Sequence, residues 1–428
     1  MSSPISRRTF IRNAALAGAG LTILPSHVFG RPGRPGPNDQ INLGFIGCGK
    51  QSGGLGKRMM ELPDARMVAA CDVYPMKLEN FVDSVNGFYS KERKSGQYKG
   101  CTPYKNYQEL LAQPDIDAVV ICTPDHWHGT MGVRAAHAGK HIYCEKPLTL
   151  TVAEGRELVK AARINQIAFQ TGSMQRLDEK FRIACELVRN GYIGALKEVK
   201  VTVGGPPVPY DQPTEPIPDG LDWEAWIGPA PMVGFNHALA PGKNDTFWPK
   251  WRNYREFGGG GVTDWGAHMF DIAQWGLGMD QSGPVEFLPA GADRKFMTLM
   301  YANGVPVTHE DFGRGQAVRF IGTEGSIDVS RSFLDTTPES LKSLTLKSTD
   351  TPLYRSTNHY QDWVDAIRTG KRPICDVETG HRSASVCNLI NIAYELNRPL
   401  KWDPVAEVFI GDKEANTHLS RKARPGNW

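Results

Sequence analysis

The chain has 428 residues, 40% of them hydrophobic and 22% charged, with a formal net charge of +3. That length allows two or three domains with large cores, and the composition is that of a folded globular protein rather than a disordered or fibrous one. With no dense basic block beyond the N-terminus, the charge pattern argues against nucleic acid as a partner.

Residues 1–35 read as an export segment and linker. "SRRTFIR" at residues 6 to 12 places Arg7 and Arg8 ahead of the uncharged "NAALAGAGLTIL", with Pro25, Gly30 and Pro32 beyond it. The layout matches a twin-arginine signal, which carries folded proteins across a bacterial inner membrane, and predicts a periplasmic location. A solvated, disordered basic tail is the competing explanation. The apolar run is too short to span a bilayer and no later apolar run is long enough for a transmembrane helix, so stable membrane insertion is not expected.

From Asn42 to Gly172, short apolar runs alternate with amphipathic stretches, predicting a nucleotide-binding domain over residues 40–175. "INLGFIG", "RMVAACDV", "DAVVICTP", "HIYCEKP" and "IAFQTGS" are the expected strands; "MKLENFVDSV", "NYQELLAQ", "MGVRAAHAG" and "VAEGRELVKAARINQ" are the expected helices. Such alternation implies a doubly wound parallel sheet, the Rossmann arrangement of an α/β fold. Cys71, Cys122 and Cys144 end apolar strands, where buried thiols are expected.

"GFIGCGKQSGG" at residues 44 to 54 leaves the first strand and opens a helix, the setting in which backbone N–H groups meet a pyrophosphate. Gly47 and Gly49 take the first two fingerprint places; Ser52 stands third, followed by Gly53 and Gly54. Asp72 ends the second strand about 20 residues on, where a carboxylate accepts from ribose hydroxyls and repels a 2′-phosphate, favouring NAD over NADP. A helix N-cap ahead of Pro75 is a compatible second role.

The following strands end in "CTPDHWHG" and "CEKPLTL". Ligands of a doubly wound sheet gather beyond the carboxyl ends of its strands. Thr123, Pro124, Asp125, His128, Glu145 and Lys146 are therefore expected beside the dinucleotide. Pro147 biases Lys146 to an extended backbone, and a lysine held there can relay a proton. His126 and His128 carry imidazoles of the kind that ligate metals, but no third ligand stands at a telling spacing, so no metal is expected.

After "LDEKFRIACELVRNGYIG" the pattern changes. "LKEVKVTV", "VEFLPA", "KFMTLMYANGVPVTHE", "AVRFIGTEGSIDV" and "LTLKS" are expected strands separated by turns. They predict an α+β domain over residues 176–428 with a large, mostly antiparallel open sheet. Its open face can be covered by the helices "NHYQDWVDAIRTG" and "HRSASVCNLINIAYELNR" or can meet another subunit. Residues 204 to 258 form a long connection rich in Pro, Gly and Trp, and such a stretch in a compact domain is functional or disordered. Trp248 and Trp251 offer flat rings to sugar C–H faces, and Arg252, Tyr254 and Arg255 can bind hydroxyls or an acid group. Core packing competes as an explanation, most strongly for Trp275 and Trp223.

The strand-end Glu-Lys-Pro, preceded by the glycine-rich loop and by Thr-Pro-Asp-x-x-His, resembles the Gfo/Idh/MocA family, as does "IGALKEV" in the second half. The resemblance spans most of residues 41 to 428 and implies NAD(P)-dependent oxidation or reduction of sugar-like alcohols, and a C-terminal sheet that joins subunits into a homo-oligomer. In "GGGGVTDWGAHMFDIAQW" it matches the family's aspartate and histidine to Asp264 and His268, facing the nicotinamide from one helical face. Asp271 can orient the imidazole. "QTGSMQR" resembles the family's strand after the Glu-Lys-Pro helix and makes Gln175 and Arg176 pocket residues.

Alcohol oxidation needs a base for the hydroxyl proton and a cation or donor for the developing alkoxide. His268 is the expected base, Lys146 the electrostatic and relay partner, and Asp264 the acceptor for a substrate hydroxyl; Lys146 and His268 can exchange roles. A periplasm has no evident pool of NAD to recycle, so tightly bound NAD is expected. The leading reading is hydride transfer between NAD and a sugar or glycoside hydroxyl, at C3. A redox-neutral glycosidase, as the resemblance to exported NAD-bearing relatives implies, is the alternative: oxidation at C3, elimination of the C1 substituent, hydration and reduction. A non-catalytic sugar- or nucleotide-binding protein ranks third.

Overall fold

A computed structural model describes residues 40–242 and 245–428, so the expected twin-arginine signal lies outside the described residues. The first sheet has strands β1 (Ile41–Ile46), β2 (Ala65–Cys71), β3 (Thr102–Tyr104), β4 (Ala118–Ile121), β5 (His141–Cys144) and β6 (Phe169–Thr171). They run in the order β3-β2-β1-β4-β5-β6, all pairs parallel. Parallel neighbours need a crossover, and the helices between the apolar runs supply it. β3 has no counterpart among the expected strands, because "TPY" is a short, solvent-facing edge with no apolar run.

Helices cover both faces of this sheet. Lys50–Met60 and Pro75–Phe88 close one core around Phe45, Phe81 and Tyr143. His128–His137 and Val152–Ile164 close the other around Ile121, Ala135 and Leu158. Helix His359–Thr369 joins the first of these cores rather than the second sheet, which corrects the expectation from its place in the chain. Tyr360, Trp363 and Val364 form its apolar stripe, and Trp363 meets Tyr143 with ring centroids 5.8 Å apart.

The second sheet has nine strands: β7 (Leu196–Thr202), β8 (Glu286–Leu288), β9 (Met297–Met300), β10 (Pro306–His309), β11 (Ala317–Gly322), β12 (Ser326–Val329), β13 (Leu334–Thr337), β14 (Leu400–Asp403) and β15 (Val408–Phe409). Their order is β13-β12-β11-β7-β10-β9-β8-β14-β15. β7 and β10 pair parallel, while β9, β11, β12 and the outer strands pair antiparallel. Helices Glu179–Arg189, Gly266–Leu277 and Val377–Leu396 bury one face around Phe181, Phe270, Phe287 and Phe320. The opposite face is polar, with Lys200 paired to Glu310 at 2.8 Å and Arg319 to Asp328 at 2.6 Å. The expected strand "LTLKS" does not form: it follows the short helical turn Glu339–Ser343, pairs with no strand and enters another turn at Ser348, so β13 remains the edge of the sheet.

Residues 41–428 form one compact unit. Arg156, from the first half, ties the halves together by pairing with Glu378 and Glu407, each at 2.8 Å. Residues 204–242 and 245–258 are ordered around a small core of their own. There Trp223 and Trp226 stack at 4.7 Å, and Phe235, Trp251, Tyr254 and Phe257 pack with Tyr74 of the nucleotide-binding half. All eight cysteines are free and buried. Among the described residues no helix is long and apolar enough to cross a membrane.

Candidate active site

A cleft of about 1060 Å³ opens beyond the carboxyl ends of β1, β2, β4 and β5 and is closed from above by residues of the second half. At its floor the chain leaves β1 through Gly47, whose φ is +96° and where a Cβ would lie 2.6 Å from the Cys122 carbonyl oxygen. Only glycine lets the loop lie this close to β4. A Cβ at Gly49 or Gly53 would meet nothing within 4 Å, so the backbone there stands open to a ligand. The Ser52 hydroxyl donates to the Gly49 carbonyl at 2.6 Å and so braces the loop from inside.

Asp72 faces this loop. Its carboxylate accepts from the backbone N–H of Cys48 at 2.7 Å and of Tyr74 at 2.8 Å, which fixes its plane and leaves lone pairs for a ligand. Burial raises its pKa, against the pull of Lys77 and the two backbone donors. Five further cleft residues have buried polar atoms without a partner: Tyr107 Oη, Thr123 Oγ1, Asp125 Oδ2, Glu145 Oε1 and His268 Nδ1. Buried polar atoms are normally satisfied, so an orphaned set around one cleft fits a polar ligand. The open glycine backbone and the oriented carboxylate fit a dinucleotide, with pyrophosphate on the loop and ribose on Asp72.

At the other end, Lys146 crosses between the halves. Its Nζ donates to Asp264 Oδ1 at 2.6 Å and to the Asp264 carbonyl at 2.9 Å. An ammonium has three donors, so one remains for a substrate oxygen. Burial would raise the Asp264 pKa, but Lys146 and Arg252 outweigh it and hold the carboxyl below its usual range. His268 is 6% exposed; burial first, then the Lys146 and Arg331 cations, push its pKa well below the usual value. The imidazole is therefore neutral near pH 7 and able to accept a proton.

Asp264 and His268 do not share one continuous helix. The helix Gly260–Asp264 stops, Trp265 interrupts it, and Gly266–Leu277 begins. Both side chains nevertheless line the cleft. The four glycines before them have a packing reason: a Cβ at Gly261 would lie 2.3 Å from Gly204 Cα, so the backbone of this turn rests directly on the start of the long connection.

Gly47, Gly49, Ser52, Gly53, Asp72, Thr123, Pro124, Asp125, Glu145, Lys146, Trp248, Trp251, Arg252, Asp264 and His268 all line the cleft. Arg252 stacks over Trp251 at 4.1 Å and Trp248 at 5.3 Å, with its Nε 3.6 Å from Asp264. Trp248 is 55% exposed, the state expected of a ring that waits for a ligand.

Other expected pocket residues lie behind the wall. His128 is buried, its ring nitrogens 2.8 Å from the Pro147 carbonyl and 3.0 Å from that of Thr123, so it braces two loops from beneath. Tyr254 is buried in the core of the long connection against Tyr210. Gln175 supports the site from the rear, 3.4 Å from the His268 carbonyl. Arg176 is spent on Asp271 and Asp280, and Asp271 also accepts from Ser383, so Asp271 holds Arg176 rather than the His268 imidazole. Arg331 lines the cleft without having been expected there; it stacks over Trp265 at 4.7 Å and donates to Gln175. Its only sequence signal is an arginine two residues after β12. His126 packs against Trp226 and Phe257, and among the described residues no three groups converge on a metal position.

A glycine cradle for a dinucleotide, facing a lysine, an aspartate and a neutral histidine across one cleft, defines a two-domain nicotinamide-dependent oxidoreductase. The chain belongs to the Gfo/Idh/MocA oxidoreductase family: residues 41–173 match its NAD-binding Rossmann domain and residues 209–428 its C-terminal alpha/beta domain.

Among individual proteins, an uncharacterized oxidoreductase YrbE of Bacillus subtilis is 24% identical over 86% of this chain and 98% of its own. A glycosyl hydrolase family 109 protein of Shewanella pealeana is 31% identical over 45% of this chain and 44% of its own. An inositol 2-dehydrogenase of Rhizobium meliloti is 31% identical over 40% of this chain and 48% of its own. The chain thus matches under half the length of these last two. In fold it resembles the aldose-aldose oxidoreductase of Caulobacter crescentus, with a TM-score of 0.57 and 18% identity over 85% of this chain and 99% of that one.

Proposed function

We propose that this protein oxidises a hydroxyl of a sugar or glycoside, at C3, using NAD that it holds tightly, and that it is exported folded by the twin-arginine route to the periplasm. The observation that carries the reading is the Lys146–Asp264 contact of 2.6 Å beside neutral His268. NAD supplies the hydride acceptor when bound. His268 takes the hydroxyl proton on its free imidazole nitrogen, and the third N–H of Lys146 donates to the oxygen as negative charge develops there. The roles of Lys146 and His268 are interchangeable at this level. Asp264, fixed by Lys146, accepts from a neighbouring hydroxyl. Trp248 stacks on the sugar's C–H face, while Arg252 and Arg331 donate to its far oxygens.

The redox-neutral glycosidase is the second reading, favoured by the likeness to the family 109 protein. It needs the same first step, after which the carbonyl acidifies the neighbouring C–H and the C1 substituent leaves. Homo-oligomers are expected through the polar face of the second sheet, which the single chain leaves open to solvent around Lys200 and Arg319.

The test is mass spectrometry of products after incubating the purified protein, without added nucleotide, with simple α- and β-glycosides. A ketone two hydrogens lighter, capped near one equivalent per enzyme, identifies the dehydrogenase. Free sugar over many turnovers identifies the glycosidase. Full turnover by a Lys146→Ala, His268→Ala double variant would falsify both.

A further inference from the structure

The last eight residues of the chain cross back over the nucleotide-binding half. Arg421 donates to the His126 carbonyl at 3.2 Å and to Glu154, so the segment is pinned to the loop after β4. Arg424 then grips the short helix Trp223–Ile227 of the long connection: it donates to the carbonyls of Gly228 at 3.0 Å and Glu224 at 3.2 Å and to the Glu224 carboxylate at 3.0 Å. Beyond it, Gln108 donates to the Asn427 carbonyl at 2.8 Å and Arg134 to the Asn427 side chain at 3.3 Å. Trp428 turns inward, its indole N–H on the Arg424 carbonyl at 2.8 Å and its ring beneath the Arg424 guanidinium at 4.4 Å. It meets Trp127 edge-on at 6.2 Å, and Trp127 in turn meets Tyr107 at 5.7 Å.

Asn427 and Trp428 line the same cleft as Asp72. They do so beside Tyr107 and Trp127, which follow β3 and β4, whereas Lys146 and His268 mark the opposite, chemical end. The long connection reaches this end too, where Asp222 donates its N–H to the Val73 carbonyl beside Asp72 at 3.1 Å. Asp72 sets the place of the adenosine ribose, so the segment stands where the adenine half of the dinucleotide must enter and leave.

We propose that residues 421 to 428 are a clasp that completes the adenine side of the cofactor site and slows release of NAD. Trp428 and Asn427 supply the wall, and Arg424 and Arg421 tie that wall to both halves of the protein. Escape of the dinucleotide on this side requires breaking the Arg424 contacts and lifting Trp428 from Trp127. The inference rests on the NAD-binding domain and is independent of which sugar is oxidised.

The experiment loads the full-length protein with NADH, chases with excess NAD and follows the loss of bound NADH fluorescence. Trp428→Ala and Arg424→Ala are each expected to release NADH about tenfold faster than wild type, the equivalent of about 1.4 kcal/mol and the size of one aromatic or cation–π contact. Trp428→Phe, which keeps a ring, is expected to stay within about threefold of wild type. The unfolding temperature of each nucleotide-free variant separates a loosened clasp from a damaged fold. Release unchanged in both alanine variants, or equally fast release from Trp428→Phe and Trp428→Ala, overturns the clasp. If wild type binds no NADH at all, it is the assignment of the cofactor cleft that fails.

Discussion

Replacing Asp72 with alanine tests the cofactor end without knowledge of the sugar. In the structure both carboxylate oxygens are held by backbone N–H groups, at 2.7 Å from Cys48 and 2.8 Å from Tyr74, so the group is oriented before any ligand arrives. Hydrogen bonds to a charged acceptor contribute about 1.5–3 kcal/mol each. Two ribose hydroxyls on one carboxylate, less what water restores in the emptied space, come to about 2–4 kcal/mol. That is a rise of about 30- to 1000-fold in the Kd for NADH.

NADPH loses a repulsive charge in the same variant, so the NADH preference of wild type should shrink or reverse. The assay is a fluorescence titration with NADH and NADPH. Because burial raises the Asp72 pKa, NADH affinity in wild type should also weaken as pH falls through that raised value. An unchanged NADH Kd in Asp72→Ala, or a wild type that prefers NADPH, refutes the assignment.

Lys146→Met keeps the length of the side chain but removes the charge; kcat on any accepted glycoside should fall by about 10²- to 10⁴-fold, with NADH affinity nearly unchanged, and a loss under about tenfold counts against the proton and alkoxide roles. Activity should hold level as pH drops from about 8 to about 6, because the His268 pKa is pushed well below 6.5; an acid limb near the ordinary histidine value contradicts a buried neutral base. Stability should behave differently. Burial lowers His128 and His359 to about 4 and His126 to about 3, below the unfolded value of 6.5. Their contribution is complete above about pH 6.5 and is lost as pH falls, each group near 4 costing about 2 kcal/mol at about pH 5, so an unfolding temperature flat over this range would refute it. Arg176→Met should destabilise the fold by about 3–5 kcal/mol by stranding Asp271, which is 1% exposed; denaturant unfolding reads this, and a variant that folds normally but loses substrate affinity would restore Arg176 to the pocket.

The nucleotide-binding half is legible in the sequence because each strand is an apolar run and each crossover an amphipathic helix, and periodicity reports burial directly. β3 is missed for the same reason, since an exposed edge of three residues buries nothing. "LTLKS" shows the converse. Leu344 and Leu346 alternate as a half-buried strand should, but alternation reports only which side is covered and not whether a partner strand is free.

The site divides in the same way. Asp72, Glu145 and Lys146 sit at strand ends, where topology alone sends side chains toward the ligand. Arg176 and Tyr254 carry the right chemistry, but nothing in their spacing reveals that Asp271 or the aromatic core of the long connection has claimed them. Arg331 and Trp428 reach the cleft from far along the chain, where no local pattern points to it.

The contact between Lys146 and Asp264 spans the two halves of the protein, so the reactive group is not a possession of either. On the mechanism proposed above, any separation of the two halves would part the ammonium from its carboxylate and solvate both, along with the imidazole beside them. On that mechanism reactivity would be interlocked with closure: the pair that activates the hydroxyl is complete only while the two halves meet.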